Sequence, residues 1–446
     1  MASEIMKENN IIFTASAGGA LKGSIRVPGD KSISHRSIMF GALAEGITKV
    51  SGFLNGEDNL ATLNAFRSMG VEISDPENGQ LEIKGVGMHG LQTPSGDIDV
   101  GNSGTSIRLL SGLLSGAISQ KDFNIVLTGD SSLSTRPMKR VTDPLKLMGA
   151  LVETNESGTP PLNIHGGKKL NGIEYLMPMA SAQVKSCLLL AGLYAKGKTC
   201  VTEPAPTRDH TERMLRGFGY EVESNNGTIC LEGGGKLTAT DIDIPADISS
   251  ATFFMVGASI AEGSDITLEH VGINPTRIGV INILRLMGAS IDVINERDVG
   301  GEPVADIRVR SAKLKGIHIP EDQVPLAIDE FPAIFVAASC ATGETVLTGA
   351  EELRVKESDR IQVMADGLTI LGVQNEVTDD GIRIQGGSIG EGHVESHGDH
   401  RIAMSFAMAA LVAKGSITIG NCANVATSFP SFIALANQSG LSISSS

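Results

Sequence analysis

The chain has 446 residues, 41% of them apolar, enough for two or three packed cores at roughly 150 residues per domain. Its 36 lysines and arginines against 51 aspartates and glutamates give a formal charge of −15, which excludes non-specific attraction to polyanions; 13 Phe, 3 Tyr and no Trp leave little surface for stacking bases. The five cysteines (Cys187, Cys200, Cys230, Cys340, Cys422) are odd in number and contain no CxxC pair, so neither a disulfide framework nor a cysteine-type zinc site is expected, and a reducing cytoplasm fits best.

Along the chain, Met1 to Asn10 is polar and lacks the apolar run of a secretory signal. Apolar runs such as Phe253 to Ile260 and Ile334 to Ala338 fall far short of the roughly 20 residues that a membrane span needs. One unit then recurs six times. A helix-like segment ends at Ala44-Glu45-Gly46, Ser115-Gly116-Ala117, Ala195-Lys196-Gly197, Ala261-Glu262-Gly263, Ala341-Thr342-Gly343 and Ala413-Lys414-Gly415, each time before a β-prone stretch. A second helix-like segment ends at Gly70, Gly149, Gly219, Gly288, Gly372 and Gly440, spaced 68 to 84 residues apart. This period is too long for ordinary solenoids and reads as βαβαββ α/β units packed around shared cores. The first helix of each unit is apolar nearly all round (Ile38 to Leu43, Leu188 to Leu193, Phe253 to Ala261, Ile402 to Ala413) and is expected inside; the second, as in Arg277 to Met287, is amphipathic and is expected outside. The six units divide three and three, with a boundary near Ile244-Pro245-Ala246-Asp247.

The inner helices begin with small, polar and often cationic residues. These starts are Pro28 to Arg36, Gly101 to Arg108, Met179 to Lys185, Ala246 to Ser250, Ile328 to Pro332 and Ser396 to Arg401. Helix N-termini already favour anions, through free N–H groups and the helix dipole. Several brought together would take a small, multiply anionic ligand. In Arg354 to Arg360, Lys356 and Arg360 are four apart, which on a helix would put like charges on one face and calls for an anion between them. Ser131 to Arg140 places three cations around a proline-held turn.

Three local matches carry no site. Gly192 to Thr199 spells a P-loop, but a helix precedes it and a β-prone stretch follows, the reverse of what phosphate binding requires. Gly85 to Gly90 matches GxGxxG, yet Leu91-Gln92-Thr93-Pro94 follows where a helix should open. His393, His397 and His400 read as part of a cationic helix start, and no metal is expected.

On Pro28-Gly29-Asp30-Lys31-Ser32-Ile33-Ser34-His35-Arg36, Gly101-Asn102-Ser103-Gly104-Thr105-Ser106-Ile107-Arg108, Arg354 to Arg360 and Asp399-His400-Arg401, the sequence resembles the 5-enolpyruvylshikimate-3-phosphate synthase family, in family order as far as Ser428-Phe429-Pro430. The wording Gly-Asp-Lys-Ser and Ala-Ser-Ala-Gln-Val-Lys resembles the second of its two bacterial classes. The resemblance implies an inside-out α/β fold of two domains, each of three βαβαββ units: residues 30–245, and residues 1–29 with 246–446, with the active site in the cleft between them. It implies transfer of the enolpyruvyl group of phosphoenolpyruvate to the 5-hydroxyl of shikimate 3-phosphate, with release of phosphate, on the route to chorismate and the aromatic amino acids. No metal or organic cofactor is implied, nor nucleic acid or membrane, and a cytoplasmic monomer is expected.

By the same resemblance, Lys31 contacts both substrates. Ser32, Arg36, Ser181, Ala182, Gln183, Arg208, Asp329 and Lys356 hold shikimate 3-phosphate; Gly104, Arg136, Gln183, Arg360 and Arg401 line the phosphoenolpyruvate pocket. Asp329 is the expected base at the 5-hydroxyl and Glu357 the expected acid at the methylene carbon, although flanking cations oppose its protonation. The chain departs from the family pattern at Ala426-Thr427-Ser428, where the other class carries a lysine, and at Asp30, a frequent neutral position, which could modulate the charge around Lys31. Alanine stands at the place of Gly104 in some glyphosate-tolerant relatives; glycine leaves room, so glyphosate is expected to compete with phosphoenolpyruvate. The sister UDP-N-acetylglucosamine enolpyruvyl transferases carry Lys-Asn where this chain has Lys31-Ser32, and a loop cysteine absent around Arg136. A non-catalytic repeat scaffold would explain the periodicity but not the cations at helix starts.

Overall fold

The computed structural model describes residues 11–446, so the reading of Met1 to Asn10 lies outside the described residues. The chain forms two compact units, Gly29–Ile244 and the described residues up to Pro28 together with Pro245–Ser446. Six inner helices carry the repeat: α1 (Lys31–Leu43), α2 (Gly104–Ala117), α3 (Ala182–Gly192), α4 (Ile248–Ile260), α5 (Phe331–Ser339) and α6 (His400–Ala409). Their all-round apolar sequence is matched by burial: every residue from Ile248 to Ser259 in α4 is buried, as is every residue of α5. Where α2 and α3 pack, a Cβ on Gly112 would stand 2.0 Å from the Cys187 carbonyl oxygen, so only glycine permits this approach.

Among the described residues there are six small sheets, three per unit; five repeat one order of four strands, while in the sixth Glu344–Leu347, Gly381–Gln385 and Asn375–Thr378 keep only its antiparallel part, with isolated parallel bridges from Lys315 to Thr342 and from His318 to Val346. A strand pairs parallel with the next, which pairs antiparallel with a third, which pairs antiparallel with a fourth. Ile98–Asp99, Asn124–Thr128, Leu162–His165 and Val152–Glu153 show it in the second repeat, with α2 as the crossover between the parallel pair. Leu237–Thr238 and Ile242–Asp243 return to lie parallel to Ala44–Ser51, closing the three repeats of unit 29–244. In the other unit, Phe13–Ala15 joins Ile417–Gly420 and Ile443–Ser445, and Lys22–Ile25 joins Asp265–Gly272. The sequence of one unit is therefore inserted between the first strands and α4 of the other.

The outer helices end as the spacing of glycines predicts. Gly70, Gly149, Gly219, Gly288, Gly372 and Gly440 all have φ between 79° and 121°, the left-handed turn that glycine enters without steric cost just past a helix end. Helix Gly279–Leu286 buries Val280, Ile281, Ile283 and Leu284 and leaves Leu286 half exposed, the expected amphipathic pattern. The P-loop spelling is rejected by its context: α3 ends at Gly192, and strand Lys198–Thr202 follows.

The cysteine expectation is corrected. Cys200 and Cys230 occupy opposed positions of the antiparallel strands Lys198–Thr202 and Thr228–Glu232 and form a disulfide, whereas Cys187, Cys340 and Cys422 are free thiols. The partners are 30 residues apart, and only the strand register brings them together. Among the described residues, no helix is long and apolar enough to cross a membrane.

Candidate active site

In unit 29–244, the starts of α1, α2 and α3 are joined by side-chain hydrogen bonds. Each is capped by its preceding residue: Asp30 accepts from the Ile33 N–H at 2.8 Å, Ser103 from Ser106 at 3.1 Å and Ser181 from Val184 at 3.4 Å. Asp30 thus serves as a buried helix cap, one residue before Lys31. Lys31 itself pairs with Asp58 and keeps its side chain about a quarter exposed.

Arg36, buried, donates through Nε to Thr211 Oγ1 at 2.7 Å, through Nη2 to Ser186 Oγ at 2.9 Å and through Nη1 to the Ser32 carbonyl at 3.0 Å, tying α1 to α3 and to helix His210–Gly217. Gln183 joins α3 to α2: its Oε1 accepts from Arg108 Nη1 at 2.6 Å and its Nε2 donates to Thr105 at 3.1 Å. Arg136, from the turn after the 3₁₀ segment Leu133–Thr135, donates to Asn102 Oδ1 at 2.7 Å. Arg136 and Arg108 converge on Gly104, where an added Cβ would lie 3.1 Å from the Nη1 of each. Ser32, Ala182 and Arg208 are partly exposed, Arg208 just before helix His210–Gly217. His35, between Lys31 and Arg36, is fully buried with Nδ1 2.9 Å from Thr62 Oγ1 and 3.4 Å from Ser106 Oγ. Burial, then the charges of Lys31 and Arg36, hold it well below the ordinary histidine range, so it is a neutral staple.

In the other unit, the starts of α4, α5 and α6 meet in the same way. Glu330, buried, accepts from Ser249 Oγ and lies 3.6 Å from Arg401 and 3.8 Å from Arg277. Pro332 occupies the first turn of α5, as expected, where its missing N–H costs nothing. Asp399 caps α6 by accepting from the Arg401 N–H at 2.9 Å. Arg360 is the centre of this cluster: 1% exposed, it donates through Nε to Asp399 at 2.8 Å, through Nη2 to Glu357 at 2.6 Å and through Nη1 to Asp329 at 3.2 Å. Burial alone would lower its pKa, but Asp399, Glu357 and Asp329 raise it above the ordinary arginine value. Lys356 reaches Asp329 at 3.5 Å and Glu352 at 2.7 Å, and Arg401 donates to the Asp329 carbonyl at 3.0 Å.

The expectation that Lys356 and Arg360 share a helical face is corrected. The 3₁₀ segment Glu351–Val355 stops before Lys356, and helix Arg360–Ile370 starts only at Arg360, because Asp359 caps it by accepting from Gln362 N–H at 3.1 Å. The two cations instead converge from separate elements on one carboxylate, Asp329 Oδ1. Three residues here drew no individual sequence prediction: Asp399, Glu330 and Arg108. All lie within or beside the helix starts that the sequence singled out, which was the available signal.

Cations that bind carboxylates can bind substrate carboxylate or phosphate in their place, with arginine offering bidentate geometry. The EPSP synthase (3-phosphoshikimate 1-carboxyvinyltransferase) family model matches residues 15–435. The 3-phosphoshikimate 1-carboxyvinyltransferase of Methylococcus capsulatus is 66% identical over 438 residues, 98% of this chain and 99% of its own, and that of Nitrosococcus oceani is 65% identical over 99% and 98%. The solved EPSP synthase of Acinetobacter baumannii is 62% identical with a TM-score of 0.89, covering 98% of this chain and all of its own. The enolpyruvyl transferase NikO of Streptomyces tendae, at 16% identity and a TM-score of 0.79, shares the fold. The chain therefore belongs to the EPSP synthase (3-phosphoshikimate 1-carboxyvinyltransferase) family.

Proposed function

We propose that the two clusters together serve the reaction named by the family: transfer of the enolpyruvyl group of phosphoenolpyruvate to the 5-hydroxyl of shikimate 3-phosphate, with release of phosphate. The chain is a transferase of this family, and the sugar-nucleotide and scaffold alternatives lack comparable support. Shikimate 3-phosphate is assigned to Lys31, Ser32, Arg36, Ser181, Ala182, Gln183, Arg208, Asp329 and Lys356. Phosphoenolpyruvate is assigned to Lys31, Gly104, Arg136, Gln183, Arg360 and Arg401. The chain acts as a monomer in the cytoplasm.

One observation carries the mechanism: Arg360 holds Asp329 on one nitrogen and Glu357 on another. When the anionic groups of phosphoenolpyruvate take Arg360, both carboxylates lose a counter-ion. Asp329 then accepts the 5-hydroxyl proton while the oxygen attacks C2, and Glu357, protonated once its cation is engaged elsewhere, delivers a proton to C3. The tetrahedral ketal phosphate that forms has a methyl group at C3. Loss of that methyl proton to a carboxylate, and of phosphate from C2, gives the enol ether. Lys31, Arg136 and Arg401 stabilise the charge on the departing phosphate.

Turnover in deuterium oxide tests this route. Passage through a methyl group puts deuterium at C3 of the product only when both substrates are present; product free of deuterium would refute addition and elimination.

A further inference from the structure

We infer that Lys185 is a positioning residue for shikimate 3-phosphate, whose buried ion cluster sets the segment presenting Arg208 and the helix that supports Arg36. The inference rests on assigning Arg36 and Arg208 to that substrate. Lys185, on α3, is 1% exposed, with Nζ 2.8 Å from Glu212 Oε1, 3.0 Å from Glu203 Oε2 and 3.5 Å from the Thr207 carbonyl oxygen. Both carboxylates are themselves more than nine-tenths buried. Removing three charges from water is expensive, and an apolar side chain of similar volume commonly gives at least equal stability, so stability alone does not account for this cluster.

The charges join two neighbouring elements to α3. The first is the segment Glu203-Pro204-Ala205-Pro206-Thr207-Arg208, in which two prolines lack an N–H and leave few backbone donors to anchor it. It is tied at Glu203, whose N–H donates to the Gly227 carbonyl at 2.9 Å, and past Arg208 by the Arg213 to Asp209 pair at 2.9 Å. Between these ties, Thr207 Oγ1 donates to Glu203 at 2.6 Å and the Thr207 carbonyl faces the Lys185 ammonium. The ammonium therefore pins the chain one residue before Arg208.

The second element is helix His210–Gly217. Glu212 follows Thr211, and Lys185 precedes Ser186; these two hydroxyls bond each other at 2.8 Å and both accept from the Arg36 guanidinium. The Lys185 to Glu212 pair thus holds the two helices at the spacing at which Arg36 binds both. One ammonium fixes the surroundings of two cations assigned to the same substrate.

The test compares the full-length chain with Glu203→Ala and Lys185→Met, measuring kcat, both KM values and Tm. Glu203→Ala removes the surplus carboxylate and leaves Lys185 balanced by Glu212, so it folds even where Lys185→Met, with two unpaired buried carboxylates, does not. The expected result is a KM for shikimate 3-phosphate raised about tenfold, the equivalent of one charge-assisted contact. KM for phosphoenolpyruvate and kcat stay within twofold, the signature of lost ground-state binding. A lowered Tm with unchanged KM would make the cluster purely structural and overturn the inference, as would an equal rise in both KM values. A wild-type chain that releases no phosphate with shikimate 3-phosphate would instead overturn the functional assignment, and the inference with it.

Discussion

Replacing Arg360 with methionine removes the side chain on which Asp399, Glu357 and Asp329 converge, and the structure sets how the cost is distributed. Asp329 keeps Lys356 at 3.5 Å and Arg401 at 4.0 Å, and Glu357, with its side chain 32% exposed, regains water. Asp399, 0% exposed, keeps its hydrogen bonds from Ser358 and the Arg401 N–H but loses its charged partner. The penalty is therefore that of one uncompensated buried carboxylate, about 3 kcal/mol, and not three times that. At roughly 2–4 °C per kcal/mol for a unit of this size, Tm falls by about 6–12 °C at pH 7.5. Thermal unfolding followed by circular dichroism at pH 7.5 measures this. A Tm within 2 °C of the parent would refute the assignment of Arg360 as the counter-ion of a buried carboxylate cluster.

The other predictions concern catalysis, inhibitor discrimination and pH. Asp329→Ala keeps shikimate 3-phosphate binding within about tenfold in a calorimetric titration while kcat falls by the roughly 10²–10⁴ typical of acid–base groups; retained turnover would remove Asp329 from that role. Gly104→Ala folds normally, because φ there is not left-handed and alanine favours a helix, but its methyl group presses on Arg108 and Arg136 at 3.1 Å. KM for phosphoenolpyruvate rises about fivefold, for roughly 1 kcal/mol of lost contact, and the glyphosate inhibition constant, competitive with phosphoenolpyruvate, rises more. An unchanged glyphosate constant would refute crowding at this position. His35 is buried neutral, so the unfolded chain takes up its proton first as pH falls; its contribution is complete above about pH 6.5 and is lost below it. Urea unfolding loses about 1 kcal/mol from this group between pH 7 and pH 5.5. His35→Gln removes that component of the slope, and an unaltered slope would show that His35 is protonated in the folded chain.

The repeat was legible because it is written in local chemistry. Glycines at helix ends, apolar inner helices and polar helix starts recur at matching places, and each depends on a few consecutive residues. The helix-start segments also contain Arg36, Gln183, Asp329 and Arg401, since N-termini of buried helices are where anions meet unpaired N–H groups, while Arg136 and Arg360 lie in the two other cation-bearing segments, Ser131 to Arg140 and Arg354 to Arg360. Pairings between distant segments were not legible. Cys200 meets Cys230 through strand register, and Asp58 meets Lys31 through the packing of α1 on helix Glu57–Ser68. Lys185 looked like one more cation at a helix start, yet its carboxylates come from a segment and a helix further along the chain. Lys356 and Arg360 misled for a different reason: the spacing suits a helix, but the capping residue Asp359 between them starts the helix too late to include both.

The most direct test of the central claim is phosphate release from phosphoenolpyruvate, measured with shikimate 3-phosphate in one reaction and UDP-N-acetylglucosamine in another. Release with shikimate 3-phosphate alone is the predicted result. Release with the nucleotide sugar alone would contradict the acceptor, and release with neither would contradict the assignment of these two cationic clusters to enolpyruvyl transfer.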